Sequence, residues 1–281
     1  MIRQGSSTGF LWNDQPPRGR VNLMPNIVVL VKRVPDTNAR IVISGDRVDL
    51  SAVKWVISPY DEFAIETALQ HKMYATFMAK PMENEPGSAM HIHQSVVSAK
   101  TGKNIFSDAD GEASSLFYAH IGGLQRFLPA SLSLLAPNVN SYRRLIRYHA
   151  APINVQWGLD NRTVGLRVPD SGRESRRVEN RVPGADANPY LAIAASLACG
   201  LLGMQQKLDP SAPVTASAYD MPYELPRSLE QSIQALETCD DLKEMLGTRF
   251  VRAWHAVKES EYDTFLQVIS SWEREHLLLN V

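Results

Sequence analysis

Residues 87–95, GSAMHIHQS, decide how this chain is read. Two histidines, His91 and His93, stand two apart behind a Gly-Ser-Ala turn. On a strand, residues two apart point to the same face. His91, His93 and Ser95 then share one face, and Met90, Ile92 and Gln94 take the other. Neutral imidazole ligates metals, and imidazole or hydroxyl can meet a nucleotide. Taken alone, such a pair is more often a surface or structural feature. The same spacing recurs at residues 176–181, RRVENR, where Arg177, Glu179 and Arg181 share a face. A carboxylate between two guanidiniums is costly if it is buried without purpose. It suits a site in which Glu179 holds a hard cation and the arginines hold anionic oxygens. A surface row of ion pairs is the other reading.

Two more stretches add arginines. NSYRRL offers Arg143 and Arg144, and DNRTVGLR offers Arg162 and Arg167. Arg162 and Arg167 are five apart, so a regular strand sends them to opposite faces unless Gly165 hosts a bulge. Arginine at this density points to phosphate and carboxylate recognition. A solvated basic face is the alternative.

The chain has 281 residues, 44% hydrophobic and 21% charged, with a formal net charge of -1. This is a globular composition, enough for one large domain or two ordinary ones. Near-neutral charge argues against nucleic acid as a partner. Cys199 and Cys239 are the only cysteines. They exclude a disulfide framework or a CxxC zinc site and fit a reducing cytoplasm. No segment reaches the roughly 18 consecutive apolar residues of a membrane span. The opening residues lack the apolar run of a signal peptide, and residues 1–25 read as a flexible lead-in.

The pattern of elements predicts an α+β fold. Residues 26–34, NIVVLVKRV, form a buried strand. ARIVIS and RVDL flank Gly45-Asp46 as a hairpin. SPYDEFAIETALQHK starts a helix, with Ser58 as cap, Pro59 in the first turn and Phe63, Ala64, Thr67 and Ala68 as its packing stripe. YATFMAKP and SAMHIHQSVV read as strands around the turn MENEPGS. EASSLFYAHIGGLQRFLPASLSLLA is a helix interrupted near Pro129. INVQWG, RTVGLRVP and RRVENRVP are three more strands. NPYLAIAASLACGLLGMQQKL is a helix capped by Asn188, apolar nearly all round and so expected at the centre. Residues 229–279 are helical and amphipathic.

From about residue 71 to 281 the chain resembles the catalytic domain of the glutamine synthetase superfamily. The resemblance rests on KPMENEPGSAMHIHQS, NSYRRL, DNRTVGLRVP and RRVENRVPGADANPYL in that order. It implies the C-terminal part of that domain, with antiparallel strands packed against helices. It also implies ATP-dependent ligation of an amine to the γ-carboxyl of glutamate through a γ-glutamyl phosphate. Ammonium-using members carry a flap glutamate where this chain has Ala150, before Ala151-Pro152. That change, NVQWGLDNRTVGLRVP and the ending WEREHLLLNV are similar to the γ-glutamylputrescine and γ-glutamylpolyamine synthetases. Plain glutamine synthetase and other γ-glutamyl–amine ligases are the alternatives.

By this resemblance His91 and Glu179 bind a divalent ion, Mg2+ or Mn2+. His93, Ser95, Arg167 and Arg177 contact ATP. Gly87, Arg144, Arg162 and Arg181 hold glutamate or its acyl phosphate, with Arg162 and Arg167 as the catalytic pair. The expected partners are ATP, glutamate and a small amine in the cytoplasm. The family's β-grasp domain, its Glu-x-Glu strand and two later glutamates have no counterpart before Tyr74. An impaired site is therefore expected, and the family's ring homo-oligomer is not. Asp61, Glu62 and Glu66 fall on the predicted helix instead. Residues 26–70, with VKRVPD and SPYDEFAIETA, resemble the start of the electron transfer flavoprotein β subunit, a family that binds AMP and partners a flavin-bearing α subunit. That resemblance offers a non-enzymatic electron-transfer fragment as the reading from a different class, or an inactive fusion joined near residues 70–73.

Overall fold

The computed structural model divides into two compact units, Met1–Thr76 and Phe77–Val281. It describes residues 76–280 and, before them, four short strands and the helical positions Glu66 and Gln70. In the first unit, β1 (Arg33–Pro35) pairs antiparallel with β4 (Trp55–Ile57). The predicted hairpin is present as β2 (Val42–Ser44) and β3 (Arg47–Asp49), with Ser44 opposite Arg47. Gln70 Nε2 donates to Glu66 Oε1 at 2.8 Å, the spacing of one helical turn. The lead-in, most of the strand expected over 26–34 and the body of the helix expected over 58–72 lie outside the described residues.

The second unit is built on one sheet and two long helices. The sheet has the order β5-β8-β7-β6, from β5 (Ile92–Gln94), β6 (Trp157–Leu159), β7 (Leu166–Val168) and β8 (Val178–Asn180). β5 and β7 both run antiparallel to β8, which fixes His93 opposite Glu179 and Arg167 opposite Glu179. β6 and β7 run parallel, so the sheet is mixed where antiparallel strands were expected. Strands of three residues need only a short return. Asp160 supplies it with a left-handed φ of 49°, and Asn161 pins the loop through the Val214 and Ala216 carbonyls. No strand forms over YATFMAKP among its described residues.

Helix α1 (Ser115–Leu135) starts at Ser114, whose hydroxyl accepts from Phe117 N. The expected interruption at Pro129 is absent, and the helix runs through it. An internal proline costs about 3 kcal/mol. Leu124, Leu128, Leu132 and Leu135 are fully buried, and each contributes about 1.5–3 kcal/mol, which offsets that cost. Helix α2 (Pro189–Gln206) is capped by Asn188, which accepts from Tyr190 N and Leu191 N. The two helices meet backbone to backbone. A Cβ on Gly123 would strike the Cys199 carbonyl and stand 2.6 Å from Gly203 Cα. Only one side of α2 is buried among the described residues. Ala192, Ala195, Cys199 and Leu202 face inward, while Tyr190, Ile193, Leu197 and Leu201 are exposed, so the helix is less central than its composition suggests.

The tail folds as α3 (Leu229–Thr238), α4 (Asp240–Leu246), α5 (Thr248–Leu266) and α6 (Ser271–Leu277). Trp254 Nε1 donates to Ser133 Oγ at 3.1 Å and ties α5 to α1. This helical layer packs against α1 and α2.

Candidate active site

The sheet register assembles the site. Along β5 the exposure alternates: His91, His93 and Ser95 are exposed, Ile92 and Gln94 buried. Gln94 accepts from Ser196 Oγ of α2 at 2.7 Å, so the inward face of β5 is fastened to the helix. His93 lies opposite Glu179, and Glu179 opposite Arg167, so all three side chains project from one face.

Glu179 is the hub. It is 3% exposed. Oε1 accepts from Arg181 Nη1 at 2.9 Å and lies 2.9 Å from His91 Nδ1. Oε2 accepts from Arg167 Nη1 at 2.6 Å. Burial pushes its carboxyl pKa up, but the Arg167 hydrogen bond and the charges of Arg181, His91 and Arg167 together outweigh burial and hold it below the usual value. His91 is held below the usual histidine value by burial and by Arg181, with Glu179 opposing. The neutral form, which keeps a lone pair, is thereby favoured.

Arg144 supports the cluster from behind. It is 2% exposed and comes from the end of the 3₁₀ turn Val139–Arg143. Its Nη1 and Nη2 donate to the Val182 and Arg181 carbonyls at 2.8 and 2.9 Å. Burial pushes its pKa down to about 10, against the pull of Asp186. A Cβ on Gly87 would stand 2.7 Å from Arg144 Cγ, so only glycine fits there. Arg181 keeps a buried Nε with no acceptor among the described residues. At the open edge Arg177 Nε donates to His93 Nδ1 at 3.3 Å.

Nine of the ten residues singled out in the sequence lie on or against this face. Arg162 lies apart, exposed on the loop between β6 and β7. The strand-parity question for Arg162 and Arg167 disappears, since β7 begins only at Leu166. Gly165 is required for another reason: a Cβ there would strike the Asn154 carbonyl, and its own carbonyl accepts from Arg181 N at 2.9 Å. The sequence reading missed Asp160. Its Oδ1 accepts from Arg167 Nε at 3.1 Å and from Nη2, locking the guanidinium between two carboxylates. An aspartate just past a strand, able to take the left-handed conformation, was the available signal.

Arg144, Arg167, Arg177 and Arg181 set four positive charges against the carboxylates of Glu179, Asp160 and, near Arg144, Asp186. The face is cationic and suited to a polyanion. A divalent ion fits it less well. His91 and Glu179 supply two donors, but guanidiniums engage both carboxylate oxygens. Among the described residues no group of three His, Cys, Asp or Glu side chains forms a metal cage. These residues do not by themselves complete a divalent site.

Comparison with known proteins agrees with this geometry. A family model described as the glutamine synthetase catalytic domain matches residues 57–277. The chain is 44% identical over 215 residues to gamma-glutamylputrescine synthetase PuuA of Escherichia coli (strain K12), covering 76% of this chain and 45% of that protein. It is 39% identical over 221 residues to type-1 glutamine synthetase 2 of Dictyostelium discoideum, covering 76% and 42%. A solved GmaS/ADP complex superposes with a TM-score of 0.69 at 31% identity, covering 80% of this chain and 56% of that one. The chain spans about half the length of the curated relatives it matches. The chain therefore belongs to the glutamine synthetase family through its catalytic domain.

Proposed function

We propose that this chain carries the ATP and glutamate half of a glutamate–amine ligase that joins an alkyl amine, putrescine by preference, to the γ-carboxyl of glutamate. One observation carries the reading: the Glu179 hub with Arg167, Arg181 and His91 around it, backed by buried Arg144. The family depends on ATP and, in general, on divalent metals. Arg167 and Arg177 would neutralise nucleotide phosphates at the open edge, beside His93 and Ser95. Arg181, with its unpaired buried Nε, and Arg144 would face the carboxylate of glutamate and the charge that develops on its acyl phosphate. Arg162 would close over the same substrate from the loop. Positioning and fixed positive charge lower the barrier to phosphoryl transfer, since the transferring group spreads its charge over several oxygens. The neutral, partly exposed His91 would hold a cation only where carboxylates beyond the described residues join it.

The test is ADP release by the folded chain supplied with Mg-ATP, glutamate and putrescine, beside His91→Ala. Release that requires all three, and is lost in the variant, supports the reading. Release independent of glutamate, or equal in both proteins, refutes it. Ammonium replacing putrescine at equal rate would make the chain a plain glutamine synthetase instead.

A further inference from the structure

Beside the arginine cluster lies a second feature that the ligase reading does not use. Tyr148 and Ala150 hold φ angles of 62° and 59°. This left-handed region is uncommon for residues with side chains, and strain of this kind gathers at binding sites. Tyr148 is 68% exposed, yet its hydroxyl donates to Asp220 Oδ1 at 2.9 Å, and its ring lies 5.4 Å from that of Tyr219. The turn Ala218–Asp220 is firmly held: Asn154 Nδ2 donates to the Ala218 carbonyl and Ala218 N donates to Thr163 Oγ1, both at 2.8 Å. Tyr219 borders the cluster. Burial raises its pKa and the nearby Arg181 charge pulls it the other way.

Charge is unbalanced here. Asp220 is exposed and makes no ion pair among the described residues. Arg147, whose charge reaches Tyr148, is committed elsewhere, with Nη2 donating to the Met221 carbonyl at 3.0 Å and its guanidinium over the Tyr223 ring. A carboxylate flanked by two tyrosine rings attracts an organic cation through both charge and ring quadrupoles. Ala150, small and exposed, leaves the approach open.

We propose that Tyr148, Tyr219 and Asp220 form a subsite for the distal ammonium of an alkyl diamine. Its chain passes Ala150, which leaves the other nitrogen free to react. The inference rests on the ligase reading only for what that second nitrogen does. Ammonium has no chain to reach the subsite, and a monoamine whose one nitrogen reacts leaves only a methyl group there. Selectivity for diamines follows from these residues.

Calorimetric titration of the chain with putrescine and with 1,4-butanediol, which has the same chain and no charge, tests this without ATP, glutamate or turnover. Putrescine should bind about tenfold more tightly, the equivalent of one charge-assisted contact. Asp220→Asn and Tyr148→Ala should each bring the two ligands within about twofold, and Tyr148→Phe should keep most of the preference, since the ring remains. Both positions are exposed, and unchanged circular dichroism confirms that the variants fold. Equal binding of putrescine and the uncharged diol, no putrescine binding at millimolar concentration, or a preference surviving in both Asp220→Asn and Tyr148→Ala overturns the subsite. A chain that binds diamine selectively but releases no ADP fails only the ligase reading. A chain that releases ADP with glutamate but ignores the second ammonium fails only this one.

Discussion

Arg167 and Glu179 face each other in register on neighbouring strands, and Arg167 Nη1 donates to Glu179 Oε2 at 2.6 Å. The same carboxylate holds Arg181, so one negative charge serves two largely buried cations, of which only Arg167 has a second carboxylate in Asp160. Glu179→Gln removes that charge and leaves both guanidiniums short of a partner. Loss on the order of 2–4 kcal/mol is expected, read as a lower urea midpoint with unchanged slope. The wild-type contribution is present above the ordinary carboxylate range and is lost as pH falls through the lowered folded value. Glu179→Gln should lack that acid limb. A variant as stable as the wild type would mean that solvent already screens the hub.

Gly203 sits where α1 and α2 touch. A Cβ there would strike the Ala119 carbonyl and the Gly123 backbone, none of it able to swing away. Gly203→Ala should cost about 3 kcal/mol by overpacking. Gly172 has nothing within 4 Å of an added Cβ and a negative φ of -66°. Gly172→Ala should be neutral or stabilise by up to about 1 kcal/mol, through the unfolded chain. Thermal melts of the two variants decide it, and similar melting temperatures would refute the packing argument.

Much of this site was legible because it is local. The two-residue period of MHIHQS and RRVENR survives as alternating exposure on β5 and as the hub on β8, even though each strand is only three residues long. The cap at Asn188 was legible because its partners are two and three residues away. What was missed depends on contacts across the chain. Tyr148 and Asp220 are 72 residues apart. Pro129 reads as a helix breaker until the burial on either side of it is known. The parallel pairing of β6 and β7 goes with a return of the chain over residues 160–165 that turns at a left-handed Asp160, which no period in the sequence announces.

Arg144 is held by two main-chain carbonyls that its fork reaches together. Lysine carries the charge but cannot span both. Arg144→Lys should cost about 1–3 kcal/mol by leaving a buried carbonyl unpaired. The damage should also reach Arg181, whose own carbonyl is one of the two. Glutamate-dependent protection against heating should weaken along with stability. Protection that stays intact in a destabilised variant would make Arg144 purely structural.

His120 is 1% exposed, lies against the Phe106 ring at 4.9 Å and finds no hydrogen-bond partner for either nitrogen among the described residues. Its surroundings are apolar: Val96, Leu197, Leu201, Met204 and Leu246 line the adjoining groove, and Gly200 leaves room for the ring. Burial pushes its pKa down from 6.5 to about 4. The unfolded chain therefore takes up this proton first as pH falls. Stability from the neutral ring is complete above pH 6.5 and drains away as pH falls toward 4. Between pH 7.5 and 5.5 the loss from this one group should be about 1.4 kcal/mol, by linkage. His120→Phe keeps the ring and removes the proton. Urea unfolding at the two pH values should show a smaller drop in the variant, by about that amount. Equal drops in both proteins would mean that the imidazole is solvated in the folded state.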